Sequence, residues 1–139
     1  MDLSKTTRYA LRLMSYMASS GEHQFTSEEL HYKLNIPKQY LRRLMTGLSK
    51  KGLLTSSKGR SGGFSLARRS DTIFLSEIID ASDDGTVLPS CILGFEKCLL
   101  LQKCPLHDQW MEVRVKILEI FRLTTLTDMN IRLTEENFH

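Results

Sequence analysis

The stretch Thr26-Ser27-Glu28-Glu29-Leu30-His31-Tyr32-Lys33-Leu34-Asn35-Ile36-Pro37-Lys38-Gln39-Tyr40-Leu41-Arg42-Arg43-Leu44-Met45-Thr46-Gly47-Leu48-Ser49-Lys50-Lys51-Gly52 decides the fold. Thr26 and Glu29 stand at capping-box spacing, where hydroxyl and carboxylate satisfy each other's orphan amides. A short helix is expected from there to about Leu34. Asn35-Ile36 supplies the turn. Pro37 suits the first position of the next helix, where a missing N–H costs nothing. That helix is expected over about 37–51. Leu41, Leu44, Met45 and Leu48 recur at helical spacing as an apolar stripe. Gln39, Arg42, Arg43, Thr46 and Lys50 fall on the opposite side. Gly52 stands where a helix-ending glycine belongs.

Two short helices joined by a tight turn, the second with a basic outer face, describe a helix-turn-helix whose second helix enters the DNA major groove. The candidate readers are Lys38, Gln39, Tyr40, Arg42, Arg43, Thr46 and Lys50. Arginine pairs with guanine, glutamine with adenine, and lysine neutralises phosphate. Downstream, Leu53-Leu54-Thr55-Ser56 and Phe64-Ser65-Leu66-Ala67 read as short strands around Ser57-Lys58-Gly59-Arg60-Ser61-Gly62-Gly63. This is a hairpin with a glycine-rich basic tip, the wing of a winged helix. Lys58 and Arg60 are its candidate DNA contacts, and a narrow minor groove attracts such cations. Upstream, Ala10, Leu13, Met14 and Met17 make the apolar face of a helix from Lys5 to about Ser20, ended by Gly21. The glycine-rich loop lacks the GxxxxGK[ST] pattern of a nucleotide-phosphate loop.

Charge follows the same division. The 139 residues carry a net charge of +3, and 41% are hydrophobic, enough for one core. Residues 1–72 hold 13 Lys/Arg against 5 Asp/Glu, a net +8; residues 73–139 hold 6 against 11, a net −5. A basic front half implies a polyanionic partner. Met1-Asp2-Leu3-Ser4-Lys5 has no apolar core of signal-peptide length. No apolar run approaches the roughly 20 residues of a membrane span. The expectation is a cytoplasmic protein with no membrane partner.

In the acidic half, Ser76 is expected to cap a short helix to about Asp80, and Asp83-Asp84-Gly85 marks a turn. Residues 85–104 lack periodicity and hold the chain's three cysteines, Cys91, Cys98 and Cys104. His107 follows in Cys104-Pro105-Leu106-His107. With Pro105 at a helix's first position, Cys104 is its expected N-cap and His107 lies one turn on. Thiolates bind zinc and iron–sulfur clusters, and histidine can complete the set. The bland alternative is buried cysteines acting as small hydrophobes. A reducing compartment disfavours a structural disulfide. His23, His31 and His139 are scattered and read as surface residues.

From Pro105 to about Arg122 a long helix is expected. Leu106, Trp110, Val113, Ile117 and Ile120 follow a 4-3-4-3 spacing, widened by Leu118 and Phe121. The stripe suits packing on the chain's own domain or a seam against the same helix of a second subunit. Thr127-Asp128 is expected to cap a last short turn, before a polar tail. The division expected is 1–72 winged helix-turn-helix, 73–104 short helix and cysteine-bearing sensor loop, and 105–139 dimerisation helix and tail. The fold class expected is mainly α, with a two-stranded wing and a long C-terminal dimerisation helix.

These features together resemble the Rrf-type (IscR/NsrR-like) winged-helix regulators over about residues 1–133. The resemblance rests on Leu3-Ser4-Lys5 with Arg8-Tyr9-Ala10-Leu11, on Ile36-Pro37-Lys38-Gln39-Tyr40-Leu41, on Leu48-Ser49-Lys50-Lys51-Gly52-Leu53-Leu54, on the wing Lys58-Gly59-Arg60-Ser61-Gly62-Gly63-Phe64, and on the cysteines with Cys104-Pro105-Leu106-His107. It implies a homodimeric bacterial transcription regulator on a palindromic double-stranded operator. It also implies an iron–sulfur cluster on Cys91, Cys98 and Cys104. The fourth ligand varies in the family. Some relatives use an acidic side chain near the N-terminus, where this chain has Arg8. That favours His107 and a [2Fe–2S] over a [4Fe–4S] cluster, one that can be absent from a purified sample. The first two cysteines are separated by six residues, one more than in IscR-like relatives, and some family members carry no cluster.

The expected function is therefore DNA binding switched by redox, iron or nitric oxide state, with cluster occupancy ordering residues 85–104. Rivals are a metal-free thiol–disulfide switch on the same fold and, in a different class, a protein-interaction module with a structural zinc site. No CxxC pair and no His/Asp partner set beyond His107 is present. Neither an enzyme nor a small-molecule substrate is expected.

Overall fold

The structure, a computed structural model, describes residues 3–21, 24–60, 62–82, 88–95 and 104–129. Helix α1 (Lys5–Ser19) is capped by Ser4, whose hydroxyl accepts the Thr7 N–H at 3.1 Å. Its predicted apolar face, Ala10, Leu13, Met14 and Met17, is buried throughout. The Thr26 hydroxyl accepts the Glu29 N–H at 3.1 Å and starts α2 (Ser27–Leu34). Asn35 ends that helix in the left-handed region, φ 54°, which asparagine tolerates better than other non-glycine residues. Helix α3 (Lys38–Lys50) follows. Pro37 is its N-cap, one position ahead of that expected. Leu41, Leu44, Met45 and Leu48 are buried in the core, and α3 packs on α2, on the helix over Leu75–Ser82 and on the strand over Leu54–Ser57. Fully burying one such side chain stabilises a fold by about 1.5–3 kcal/mol. Gly52 closes the end at φ 78°.

Strands β1 (Leu54–Ser57) and β2 (Gly63–Leu66) pair antiparallel, from Leu54 opposite Leu66 to Ser57 opposite Gly63. They sit one residue off the apolar runs. The tip demands glycine: a Cβ on Gly62 would lie 2.3 Å from the Ser57 carbonyl oxygen, and one on Gly63 2.6 Å from that of Phe25. Phe25 explains the second approach. It exchanges two backbone hydrogen bonds with Phe64, both 2.7 Å, and ties the α1–α2 connection to the wing.

A 3₁₀ turn (Ser70–Thr72) leads to α4 (Leu75–Ser82), which packs on α1 and α3. The expected Ser76 cap is not used. The Glu77 carboxylate accepts the Phe74 N–H at 2.9 Å instead, so the helix begins earlier. Residues 88–95 hold no helix or strand, and a turn at Cys91–Gly94 is closed by the Gly94 N–H on the Cys91 carbonyl at 3.0 Å.

Helix α5 spans His107–Leu123, two residues short of the expected start. Cys104 is not its N-cap. Cys104-Pro105-Leu106-His107 instead forms a turn in which the His107 N–H donates to the Cys104 carbonyl at 3.1 Å. Leu106 has φ −89° and ψ −15°, the third-position angles of a type I turn, whose second position favours proline. Helix α6 (Leu126–Met129) is capped by Thr125 rather than Thr127: its hydroxyl accepts the Asp128 N–H at 3.3 Å, and Asp128 accepts the Thr125 N–H at 2.9 Å. This last turn packs on α1 and the 3₁₀ turn. The Leu75 N–H donates to Thr124 and the Leu126 N–H to Ile73, at 2.9 and 3.0 Å. Phe25, Ile73, Leu75, Ile78 and Leu126 complete the core.

Candidate nucleic-acid interface and thiol-bearing segment

Helix α3 separates its faces cleanly. Gln39, Arg42, Arg43, Thr46 and Lys50 are exposed, while the stripe opposite is buried. These positions recur at three- and four-residue intervals, so their side chains leave the helix in one direction. The Thr46 hydroxyl is turned back onto the Arg42 carbonyl at 2.8 Å. Two expected readers are engaged within the fold. Lys38 donates to Glu28 on α2 at 2.9 Å, and the lysine beside Glu28 holds that carboxyl below its ordinary range. Tyr40 is half-buried, its hydroxyl bonded to that of Thr6 and its ring edge-on to Tyr9 at 5.3 Å.

The Tyr40 contacts place the start of α1 beside the start of α3. Lys5, exposed on α1 and 5.7 Å from the centre of the Tyr9 ring, thereby stands near the start of α3. Sequence reading missed it because the link runs through a pair 34 residues apart. At the wing tip Lys58 and Arg60 are exposed and, among the described residues, lie outside every ion pair. Ser61 and Cys98, with His23 and His139, fall outside the described residues. His31 is exposed as expected, its Nδ1 2.6 Å from the Ile36 carbonyl oxygen.

Of the expected ligand set, Cys91 and Cys104 are unpaired, half-buried thiols, and His107 is exposed at the base of α5. The Cys104–His107 turn keeps those two close. Trp110 is buried, and its indole N–H donates to the Pro89 carbonyl at 3.1 Å. That bond fastens the segment bearing Cys91 to the first turns of α5. Soft sulfur donors and one imidazole suit an iron–sulfur cluster or zinc in chemistry. Among the described residues, no three His, Cys, Asp or Glu side chains gather as a metal site.

The residues of the α5 stripe part company. Trp110 faces the chain's own domain, and Ile117 is half-buried. Leu106, Val113 and Ile120, one heptad apart, remain 44%, 48% and 60% exposed, with Leu123 at 74%.

Comparison with known proteins settles the family. Residues 3–131 match the model described as "Rrf2: Iron-dependent Transcriptional regulator". The chain belongs to the Rrf2 family. A relative from Sodalis glossinidius, the HTH-type transcriptional regulator IscR, is 32% identical over 93% of this chain and 78% of its own length. The regulator NsrR of Shouchella clausii is 28% identical over 93% and 88%. Among solved structures, CymR, the global cysteine regulator of B. subtilis, superposes with a TM-score of 0.80 at 26% identity, covering 94% of this chain and 96% of that one. The Rrf2 chain is accordingly a transcription regulator with a winged helix, as the resemblance implied. The family is one of regulators rather than enzymes. No helix among the described residues is long and apolar enough to cross a membrane.

Proposed function

We propose that this Rrf2 protein is a homodimer that reads a palindromic operator with α3 and the wing, under the control of its three cysteines. The observation that carries the DNA-binding part is the exposed row Gln39, Arg42, Arg43, Thr46 and Lys50, backed by a buried stripe and flanked by Lys58 and Arg60. Arg42 or Arg43 reads guanine, Gln39 reads adenine, and Lys50, Lys58 and Arg60 neutralise phosphate. Lys38 reaches DNA after leaving Glu28, an exposed pair worth little. Tyr40 holds α3 against α1. The apolar row on α5 supports a seam with a second copy, which sets the spacing of two reading heads.

Cys91, Cys98, Cys104 and His107 would hold an iron–sulfur cluster, [2Fe–2S] in preference to [4Fe–4S]. A bound cluster supplies a redox-active, ligand-exchanging centre. The chain's own part is mechanical. Cys91 lies on the segment fastened by Trp110, and Cys104 and His107 stand at the base of α5. Shared ligation would draw these segments together, and release would let them part. Such a switch needs only a few kcal/mol of differential binding. A metal-free thiol–disulfide switch is the second reading; the likeness to a cysteine regulator favours it.

Protein purified without oxygen separates the readings. Brown absorbance with matching iron and sulfide is expected, and its loss in Cys104→Ala. Zinc without colour points to a static site, and metal-free protein to the thiol switch. Anaerobic operator titrations of loaded and metal-free protein at matched salt are expected to differ. Equal affinities would remove the sensing claim.

A further inference from the structure

Helices α4 and α5 pack on each other but leave a cleft of about 230 Å³ between them. Its walls include Ser76 and Asp80 from α4, Leu88 ahead of the Cys91 turn, and Arg114, Phe121 and Arg122 from α5. None of these residues has a part in the DNA surface, the thiol set or the exposed α5 row.

The polar groups of this cleft are incompletely satisfied. The Arg114 Nε is screened from solvent and has no hydrogen-bond partner. A shielded donor without an acceptor is costly, and native proteins seldom leave one without a reason. Among the described residues, Arg114, Arg122 and Asp80 take part in no ion pair, although all three line one cleft. Arg114, Arg122 and Asp80 thus line one cleft without pairing, Arg122 and Asp80 at its exposed rim.

The ligand class follows from size and charge. The volume far exceeds the ~10–15 Å³ that one water needs. It falls below the ~300 Å³ at which pockets for drug-sized molecules begin. The occupant is therefore small. Guanidinium forks match a carboxylate. A simple anion would leave Asp80 facing a like charge or none, whereas a molecule that also bears an ammonium group complements it. Leu88 and Phe121 offer apolar surface for the remainder. We propose that the α4–α5 cleft binds a free aliphatic α-amino acid, its carboxylate on Arg114 and Arg122 and its ammonium group on Asp80. It acts as an effector, not as a substrate. Helix α4 packs on α1 and α3, α5 carries the exposed apolar row, and Leu88 leads to Cys91. An occupant therefore braces α5 against the DNA-reading domain.

Calorimetric titration of the full reduced chain with L-leucine, L-isoleucine, L-valine and L-methionine tests this. Saturable binding of at least one is expected, weakened at least about tenfold in Arg114→Gln and in Asp80→Asn. For leucine, 4-methylpentanoate, which lacks the ammonium group, is expected to bind at least about tenfold more weakly and to be indifferent to Asp80→Asn. Far-UV circular dichroism checks that both variants fold. The single tryptophan gives a readout that needs no variant, because Trp110 lies one turn before Arg114; its fluorescence is expected to shift with occupancy. The proposal is overturned by no saturable binding at about 10 mM of any probe, by undiminished binding in both folded variants, or by 4-methylpentanoate binding as tightly as leucine.

Discussion

Arg68 grips Glu77 with two prongs: one terminal nitrogen donates to Oε1 at 2.9 Å, and the other to Oε2 at 2.7 Å. The second nitrogen also donates to the Thr72 carbonyl at 2.6 Å, while Glu77 accepts the Phe74 N–H. The residue leaving the wing is thereby locked to the first turn of α4. Arg68 holds the Glu77 carboxyl below its ordinary value of 4.5, and the Phe74 hydrogen bond adds to the effect. A depressed carboxyl stabilises the fold above its unfolded value, and that contribution is lost as pH falls through the folded value. Glu77→Gln keeps the cap and removes the charge. With both side chains over a third exposed, screening limits the pair, so about 0.5 kcal/mol is expected to be lost at pH 7. Urea denaturation checks it, and the gap between parent and variant should close at pH values well below 4.5.

What the sequence revealed depends on how local the deciding force is. The α3 stripe was legible because a period of 3.6 is written in neighbouring residues. The start of α5 was misplaced because Pro105 suits a type I turn as well as it suits a helix's first position. Ser76 looked like a cap, yet Glu77 is the side chain that reaches the free amide. The bond from Phe25 to the wing, the Thr6–Tyr40 contact and the α4–α5 cleft join distant segments, and no local pattern announces them. The 4-3-4-3 rhythm of α5 fits both its own domain and a partner, and only packing sent Trp110 inward while leaving Ile120 outside.

Trp110→Phe is expected to keep an aromatic ring at this buried position while losing the hydrogen bond to the Pro89 carbonyl and part of the indole's volume. The cost should be about 1–3 kcal/mol of stability. The sharper consequence lies at Cys91, whose segment loses its fastening to α5. Its rate of reaction with a thiol reagent, followed by mass spectrometry, is expected to rise. An unchanged rate would show that the bond does not hold that segment.

The proposed DNA surface is expected to separate into readers and neutralisers. Arg43→Ala is expected to weaken operator binding by about 1–3 kcal/mol and to relax preference at one base pair. Lys58→Ala should weaken all sequences alike and lower the slope of log affinity against log salt by about one. Fluorescence anisotropy on operator and scrambled duplexes, at several salt concentrations, distinguishes the two behaviours. A base-specific loss at Lys58 would place the wing in a reading role.

Ile120 is 60% exposed on α5, in heptad register with Val113 and Leu106. A large apolar side chain left so open on a helix loses nothing within the monomer when made polar. Against a second copy it would be covered, and a buried unpaired carboxylate there is expensive. Ile120→Glu is therefore expected to leave the far-UV circular dichroism of the folded chain unchanged, to lower the thermal midpoint only by the lost association, and to shift sedimentation from dimer to monomer. Operator affinity should fall with it, because two half-sites are then bound separately. A variant that still sediments as a dimer would move the seam to another face of α5.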